Sequence, residues 1–225
     1  MSLHALDACH SEVRPGQCPP DNGASYSVIL LAGGLGARLG GQDKATLLLA
    51  GEPLLGRVHR CVAPLTDDVV IVLRPDQELG PALAAAVQGA AVVRDLPGYS
   101  GVLSGMAAGL AAARHGWSLV LACDMPFVQI PLLRYLWSLH GDWDAIVPRL
   151  AVGLEPLHAF YHKRCLSPLC AALAQGLRRV SGVYETLRVR YVDEGETAPH
   201  DPQRLGFFNV NTLQDLARAH ELLAR

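Results

Sequence analysis

The sequence has few aromatic residues and almost no excess of charge of either sign, and both absences exclude classes of function. Aromatic side chains make up 6% of the residues, and the formal net charge is −2. Proteins that bind nucleic acids need a basic surface and often use aromatic side chains on which bases stack. We therefore expect no nucleic-acid partner.

Long apolar runs are also missing. No run approaches the roughly 18 apolar residues of a membrane-spanning helix, and the first residues lack the basic start and apolar core of a signal peptide. The six cysteines form no C-x-x-C pair and no tight cluster with histidines. This is typical of a reduced protein rather than a disulfide scaffold or a zinc site. We expect a cytoplasmic protein without a membrane partner.

The order of apolar segments predicts an α/β fold. Short apolar runs typical of buried strands alternate with segments in which apolar residues recur at helical spacing. The first half has predicted strands at 28–32, 69–73, 91–94 and 119–122, and predicted helices at 54–65, 81–87, 104–114 and 131–139. This alternation predicts a doubly wound, mostly parallel sheet. Ligands bind beyond the carboxyl ends of the strands in such sheets, and Gly33, Asp95 and Asp124 all follow a predicted strand.

The second half is less regular, and the first residues differ from both halves. The later predicted elements are strands at 145–147, 157–161, 189–192 and 207–210, helices at 166–174 and around 180–187, and a closing helix capped by Thr212. The acidic segment 193–205 is expected to be a mobile loop. Residues 1–26 are polar and contain prolines, so we expect a flexible leader, followed by a single domain over 27–225.

A glycine-rich stretch follows the first predicted strand and carries two cations. Its glycines are Gly33, Gly34, Gly36, Gly40 and Gly41. Glycine lets backbone N–H groups approach a phosphate, and Arg38 and Lys44 can neutralise its charge. The stretch is not a Walker A loop, because Lys44 is followed by alanine instead of Ser or Thr. It also lacks the third glycine of a dinucleotide fingerprint, since Leu39 stands there.

The motif L-A-G-G-x-x-x-R-x-G-G-x-D-K from Leu31 to Lys44, followed by G-x-P-L from Gly51 to Leu54, resembles the signature loop of Rossmann-like nucleotidyltransferases. Among these it is most similar to the molybdenum cofactor guanylyltransferases, the MobA family. The alternative is a glycine-rich turn with surface charges. The resemblance extends from about Ser27 to the C-terminus, and it implies a nucleotide-binding half at about 27–140 and an acceptor-binding half at about 141–225.

The resemblance implies roles for residues of the glycine-rich stretch. Catalytic contacts with the triphosphate are implied for Arg38 and Lys44, whose alternative reading is a pair of solvated surface charges. Gly34 implies guanine, because cytidine-specific relatives have alanine there. Asp43 is interpreted as a support for Lys44 or for the loop backbone. Nucleotide contacts are implied for Leu31, Ala32, Gly33, Gly34, Gly36 and Lys44.

Two aspartates at strand ends complete the predicted nucleotide site. Asp124 follows a buried strand, where a carboxylate is suited to bind Mg²⁺; capping of a turn is the alternative. The resemblance supports the first reading, because family members carry C-D-x-P here with a magnesium-binding aspartate. Asp95 inherits a nucleotide contact, although Val102 replaces a family proline in the loop that follows. A family asparagine that contacts the nucleotide falls at Leu73 or Arg74.

The resemblance also implies contacts with the second substrate, the acceptor. His158 is a candidate for its phosphate, and a packed strand histidine is the alternative. Arg178 and Arg179 are candidates for an anionic pterin, and a solvated charge pair is the alternative. Asn209 and Asn211, in a motif similar to the family's F-x-N-V-N-T, either reach the crevice or cap the last helix.

The implied function is that of a Mg²⁺-dependent guanylyltransferase. GTP and molybdopterin carrying molybdenum would be the substrates, and proteins that deliver or accept the cofactor would be transient partners. Three alternatives remain: a cytidylyltransferase that uses CTP, a sugar-phosphate nucleotidyltransferase, and a non-catalytic nucleotide-binding adaptor for cofactor delivery. The presence of both Lys44 and Asp124 argues against the adaptor.

Overall fold

A computed structural model describes residues 26–224 of the chain. Its strands are β1 (Ser27–Leu31), β2 (Val69–Leu73), β3 (Ala91–Arg94), β4 (Trp117–Ala122), β5 (Ala145–Leu150), β6 (Gly153–Leu154), β7 (His158–His162) and β8 (Val189–Asp193). Its α-helices are α1 (Leu54–Val62), α2 (Pro81–Ala86), α3 (Val102–Ala112), α4 (Ile130–Ser138), α5 (Leu166–Ala174), α6 (Glu194–Thr197) and α7 (Leu213–Leu223). Short 3₁₀ helices and two small hairpins lie between them.

These eight strands form one mixed sheet that is parallel in its first half. The order is β6-β5-β7-β4-β1-β2-β3, with β8 paired to β5. Strands β3, β2, β1 and β4 run parallel, and β7 joins β4 in the antiparallel direction. The predicted α/β class with a mostly parallel, Rossmann-like sheet is confirmed. Strand β7 comes from the predicted acceptor half and β4 from the nucleotide half, so both halves share this sheet; their division of function stays a prediction.

Helices cover both faces of the sheet because its central strands are apolar on both sides. Every residue of β2 and β4 is buried, as expected for parallel strands covered by helices. Along β1, Val28 and Leu30 pack into the layer that contains α1, α2 and α4. Ile29, which points to the opposite face, packs into the layer that contains α3 and α5. The two-residue period of the strand therefore divides the core into two layers.

Two expectations for the C-terminal third are wrong. Segment 193–205 is held by a capping box at α6, in which the side chains of Asp193 and Glu196 each accept a hydrogen bond from the backbone N–H of the other residue. The buried Asp201 also holds it, because its carboxylate accepts hydrogen bonds from the turn that follows. The predicted strand at 207–210 is absent. Its apolar residues pack against the core, but the Val210 N–H donates to the carbonyl of Asp124 (2.9 Å) instead of joining a ladder.

The N-terminal boundary also differs from expectation by one residue. Tyr26, placed at the end of the predicted leader, is buried and its ring packs edge-on against Phe160; the rest of the leader lies outside the described residues. The thiols of Cys61, Cys123 and Cys165 are free. Within residues 26–224, no helix has the length and apolar character needed to span a bilayer.

Helix α3 approaches the sheet closely because glycines face it. A Cβ atom at Gly109 would lie 2.4 Å from Cγ2 of Ile29 on β1 and 3.2 Å from Cγ2 of Val72 on β2. A Cβ at Gly105, one turn earlier, would lie 3.2 Å from Oδ1 of Asp95. The absence of side chains at these positions sets the distance between α3 and the strands that carry the site.

We expect Gly109→Ala to destabilise the protein. Overpacking a core costs about 1–3 kcal/mol, and overlap with the branched side chain of Ile29 puts the cost above the gain of roughly 1 kcal/mol that alanine brings to a helix. Thermal or urea unfolding measures the change. Gly195→Ala is the control, because a Cβ there meets nothing within 4 Å. A Gly109→Ala variant as stable as the wild type would contradict the close approach of α3.

Candidate active site

The polar residues of the candidate site lie at the carboxyl ends of the parallel strands. Arg74 directly follows β2 and Asp95 directly follows β3, while Gly33 and Asp124 each come one position later, as the second residue after β1 and after β4. Arg74 joins two of these ends, because its Nη1 donates to the carbonyl oxygen of Gly33 (3.0 Å). The backbone N–H of Cys123 donates to the carbonyl oxygen of Leu31 (3.1 Å), and this bond joins the end of β4 to the end of β1.

The glycine-rich stretch forms a small hairpin over this edge. Residues Leu35–Gly36 pair with Gln42–Asp43, and the connecting turn uses Gly40 and Gly41 at φ angles of 72° and 78°. Only glycine adopts such angles at little cost. Gly36 is also required by space, since a Cβ there would lie 2.8 Å from Cβ of Leu39. These glycines therefore shape the loop, and the exposed Gly34 faces the stem of Lys44, whose Cδ is 3.6 Å from a Cβ built at Gly34.

Lys44 lies at the centre of the site. Its Nζ is 2.6 Å from Oδ2 of Asp124 and 2.5 Å from Oδ1 of Asn211. The Lys44 and Asp124 side chains are only 12% and 14% exposed, so their charges are largely shielded from water and depend on each other. Three segments far apart in sequence thus meet at one ammonium group.

Asp43 holds the backbone from which Lys44 projects. Lys44 begins a 3₁₀ helix, Lys44–Thr46, and Asp43 is its N-cap. One carboxylate oxygen of Asp43 accepts from the N–H of Ala45 (3.1 Å), and the other accepts from Nε2 of Gln77 (2.6 Å). Asp43 therefore supports Lys44 from behind, as the sequence suggested.

Asp124 has one carboxylate oxygen available for a ligand. Oδ2 binds Lys44, whereas Oδ1 is buried and has no hydrogen-bond partner among the described residues. Those residues contain no group of three or more His, Cys, Asp or Glu side chains that could hold a metal. A single free carboxylate oxygen fits Mg²⁺, which usually takes one or two protein carboxylates and fills its remaining positions with phosphate oxygens and water.

Asp95 is a second carboxylate at the same edge, in a different environment. Burial raises its pKa to about 6, and the nearby Arg74 guanidinium opposes this rise. The carboxyl group is therefore mainly ionised at neutral pH and is incompletely compensated by charge. Of the two positions suggested for the missing family asparagine, Leu73 is buried in the core and Arg74 lies at the site.

The predicted acceptor residues do not form one group. Arg178 and Arg179 are exposed and line a cavity of about 410 Å³. Val102 at the start of α3 also lines it, and so do Leu154, Pro156, Leu157, Val180, Ser181 and Tyr184. Asn211 instead binds Lys44, and Asn209 donates from Nδ2 to the carbonyl of Phe207 (3.0 Å).

His158 and Arg38 lie at opposite extremes of exposure. His158 has no exposed surface, its ring lies 5.0 Å from that of Phe207, and burial lowers its pKa to about 4. It is a neutral, packed histidine in this conformation and cannot touch a substrate. Arg38 is exposed in the short 3₁₀ helix Ala37–Leu39. It makes no ion pair with any residue between 26 and 224, so its guanidinium is free to meet a ligand.

Sequence reasoning missed Gln77 and the contact between Asn211 and Lys44. Gln77 is 3% exposed and bonds to both the end of β1 and Asp43. Its place shortly after β2, at the carboxyl edge of the sheet, was the available signal, because polar residues in such loops face the ligand site. Nothing local in the sequence indicates that Asn211 meets Lys44.

Comparison with known proteins agrees with this geometry. Residues 28–189 match the model of the MobA-like NTP transferase domain. The molybdenum cofactor guanylyltransferase of Desulfosudis oleivorans is 36% identical over 193 residues, which cover 85% of this chain and 92% of that protein. The protein of the same name from Pseudomonas putida is 39% identical over 199 residues, covering 87% of this chain and 100% of the relative.

A solved structure is similar as well. The molybdopterin-guanine dinucleotide biosynthesis protein A from Archaeoglobus fulgidus superposes with a TM-score of 0.77 at 30% identity, over 88% of this chain and 99% of that one. The matched family model covers most of the chain, including the glycine-rich stretch, Asp95 and Asp124. The chain therefore belongs to the family of nucleotidyltransferases with a MobA-like NTP transferase domain.

Proposed function

We propose that this protein is a molybdenum cofactor guanylyltransferase, which transfers GMP from GTP to the terminal phosphate of molybdopterin carrying molybdenum. The products are molybdopterin guanine dinucleotide and pyrophosphate. The observation that carries the proposal is the shielded pair of Lys44 and Asp124, 2.6 Å apart beside a glycine-rich loop. A cation and a carboxylate at this edge suit the binding of a nucleoside triphosphate, and the names of the relatives point to guanylyl transfer.

The reaction needs no nucleophile from the protein. An oxygen of the acceptor's terminal phosphate forms a bond to the α-phosphorus of GTP. The bond from this phosphorus to the oxygen that bridges it to the β-phosphate breaks, and pyrophosphate leaves with the electron pair. Because the attacking oxygen is already anionic, the protein has to align the two substrates and stabilise the charge that develops on the phosphates.

Lys44 and Arg38 are the proposed sources of that stabilisation. Lys44 is held in place by Asp124 and Asn211, so its charge is positioned before substrate arrives. Arg38 is exposed beside the loop and unpaired among the described residues, so it can reach the outer phosphates. Cations placed where charge builds up are usually the largest single contribution in transfers of this type.

Mg²⁺ is the proposed cofactor, and Asp124 is the residue that would hold it. When bound, Mg²⁺ neutralises phosphate charge and polarises the phosphoryl group. The free Oδ1 of Asp124 supports this assignment. Lys44 binds the same carboxylate through Oδ2. This contact would hold the Asp124 side chain in place and leave Oδ1 for the metal.

The nucleotide is proposed to bind along the loop from Leu31 to Gly36. The backbone at Ala32 to Gly34 would face the base, and the absence of a side chain at Gly34 would leave room for the edge of a purine. Asp95 would accept hydrogen bonds from the nucleoside, which would compensate the charge that the protein leaves only partly balanced. CTP is the main alternative nucleotide, and a sugar phosphate is the more distant alternative acceptor.

The acceptor is proposed to occupy the cavity lined by Arg178 and Arg179. This cavity of about 410 Å³ combines two arginines with mainly apolar residues, which suits a flat heterocycle that carries anionic groups. His158 and Asn209, two other residues that the resemblance assigned to the acceptor, are not among the residues that line this cavity. Transient contact with proteins that deliver or accept the cofactor, and a cytoplasmic location, stay predictions.

Pyrophosphate release with GTP or CTP is the experiment that tests the function. With Mg²⁺ and molybdopterin loaded with molybdate, we expect release with GTP and not with CTP. Omission of molybdopterin should abolish release, because no acceptor phosphate is then present. Release with CTP alone would retain the chemistry and overturn the choice of base. Binding of GTP without release would favour the adaptor.

Asp124→Asn should nearly abolish transfer. The amide keeps the size of the carboxylate but removes the charge that binds Lys44 and Mg²⁺, and we expect kcat to fall by about a hundredfold or more. Initial rates over a range of Mg²⁺ concentrations measure the effect. Asp142→Asn is the matched control, because Asp142 is exposed in a loop away from this edge. Wild-type rates in Asp124→Asn would refute its role.

Replacement of Arg178 and Arg179 by alanine should weaken binding of the acceptor. Each lost hydrogen bond to an anion is worth roughly 1.5–3 kcal/mol, so we expect KM for molybdopterin to rise about tenfold or more. KM for GTP should not change. Arg134→Ala on α4, another exposed arginine, is the control. An equal rise in both KM values would argue against an acceptor site at these arginines.

A further inference from the structure

Gln77 is a buried polar side chain whose every hydrogen-bonding group is used. It is 3% exposed. Its Oε1 accepts from the backbone N–H of Arg74 (3.1 Å). Its Nε2 donates to the carbonyl of Ala32 (3.0 Å) and to Oδ2 of Asp43 (2.6 Å). The partners of Nε2 are both pure acceptors and the partner of Oε1 is a pure donor, so the orientation of the amide follows from its contacts.

The backbone that carries Gln77 is itself fixed. Arg94, at the end of β3, donates from Nη1 to the carbonyl oxygens of Arg74 (2.9 Å), Pro75 (3.1 Å) and Gln77 (2.7 Å). The turn after β2 is thus tied to the neighbouring strand. Gln77 therefore projects from a rigid support toward the glycine-rich stretch.

The contact with Asp43 leads directly to Lys44. Asp43 caps the 3₁₀ helix that begins at Lys44, through its second oxygen and the N–H of Ala45 (3.1 Å). Gln77 fixes the carboxylate of Asp43, Asp43 fixes the start of this helix, and the helix sets where the Lys44 side chain begins. Because Gln77 also binds Ala32 at the end of β1, it ties both ends of the glycine-rich stretch to one point.

We propose that Gln77 is a positioning residue for guanylyl transfer, which holds the glycine-rich stretch and Lys44 in the geometry that binds the triphosphate. This inference rests on the proposed function. Gln77 touches neither substrate; it acts through Asp43. A displacement of about 1 Å in a group that binds the reacting phosphates can cost about a hundredfold in rate, so the effect of Gln77 should be visible in catalysis and in GTP binding.

Gln77→Glu is the informative variant. It has nearly the same shape but loses both N–H donors, and it sets a carboxylate oxygen against those of Asp43 and Ala32. We expect the Kd for GTP with Mg²⁺, measured by calorimetry, to rise about tenfold, and kcat to fall about tenfold or more. KM for molybdopterin should stay within about twofold. Gln88→Glu is the matched control, since Gln88 is exposed.

A reciprocal exchange separates positioning from mere stability. In Asp43→Asn combined with Gln77→Glu, the asparagine can accept from Ala45 and donate to the new carboxylate, while the total charge is unchanged. We expect this double variant to recover most of the Kd and kcat lost in Gln77→Glu. Gln77→Met, which removes the donors without adding charge, should also raise Kd, and it replaces Gln77→Glu if the buried charge prevents folding. Melting temperatures and the folded fraction are measured for each variant.

Two results would overturn the proposal. A folded Gln77→Glu variant with wild-type Kd and kcat would show that the contact is only structural, as would a double variant as impaired as Gln77→Glu itself. If the wild type binds GTP but transfers no GMP, the proposed function fails, and the Kd series still tests whether Gln77 positions the loop. The two failures are therefore distinguishable.

Discussion

The arrangement of the site depends on the ion pair between Lys44 and Asp124. Both side chains are largely shielded from water, and a shielded charge is tolerated only when another group compensates it. Lys44 comes from the glycine-rich stretch and Asp124 from the end of β4, while Asn211 reaches the same ammonium from the segment before α7. The backbone of Val210 also bonds to that of Asp124, so the C-terminal segment is attached to the phosphate site by side chain and main chain together.

The two carboxylates at the sheet edge are prepared for different tasks by their surroundings. Asp124 is compensated by a lysine through one oxygen, and its other oxygen has no partner in the described part of the chain, which suits a metal. No cation within residues 26–224 is bonded to Asp95, and burial raises its pKa to about 6, which suits the acceptance of hydrogen bonds from a ligand. The glycines of α3 contribute here, because the helix can pack beside Asp95 only where no side chain intervenes. Packing of the core and electrostatics of the site therefore have the same structural cause.

Much of the fold and part of the candidate site were predictable because they depend on local patterns. The apolar run at Val69–Leu73 is a strand with those bounds, and Thr212 with Asp215 forms the capping box that begins α7. The position of Asp124 at a strand end also followed from local sequence. The strand expected at 207–210 failed because a short apolar run can be buried without a hydrogen-bonded neighbour. His158 shows the same limit of local sequence. The residues around a histidine in an apolar strand do not indicate whether its side chain faces a ligand or the core.

The local chemistry of the chain specifies its turns, its two periodicities and the glycine-rich loop, because φ angles, volume and apolar spacing act over a few residues. Which polar groups meet is a different question. Lys44 finds partners 80 and 167 positions away, and Gln77 reaches Asp43 and Ala32 across the sheet edge. Such contacts arise from strand order, from the depth at which α3 docks and from the course of the segment before α7. They belong to the folded molecule, since each contact joins elements that are stable only when they are packed against each other.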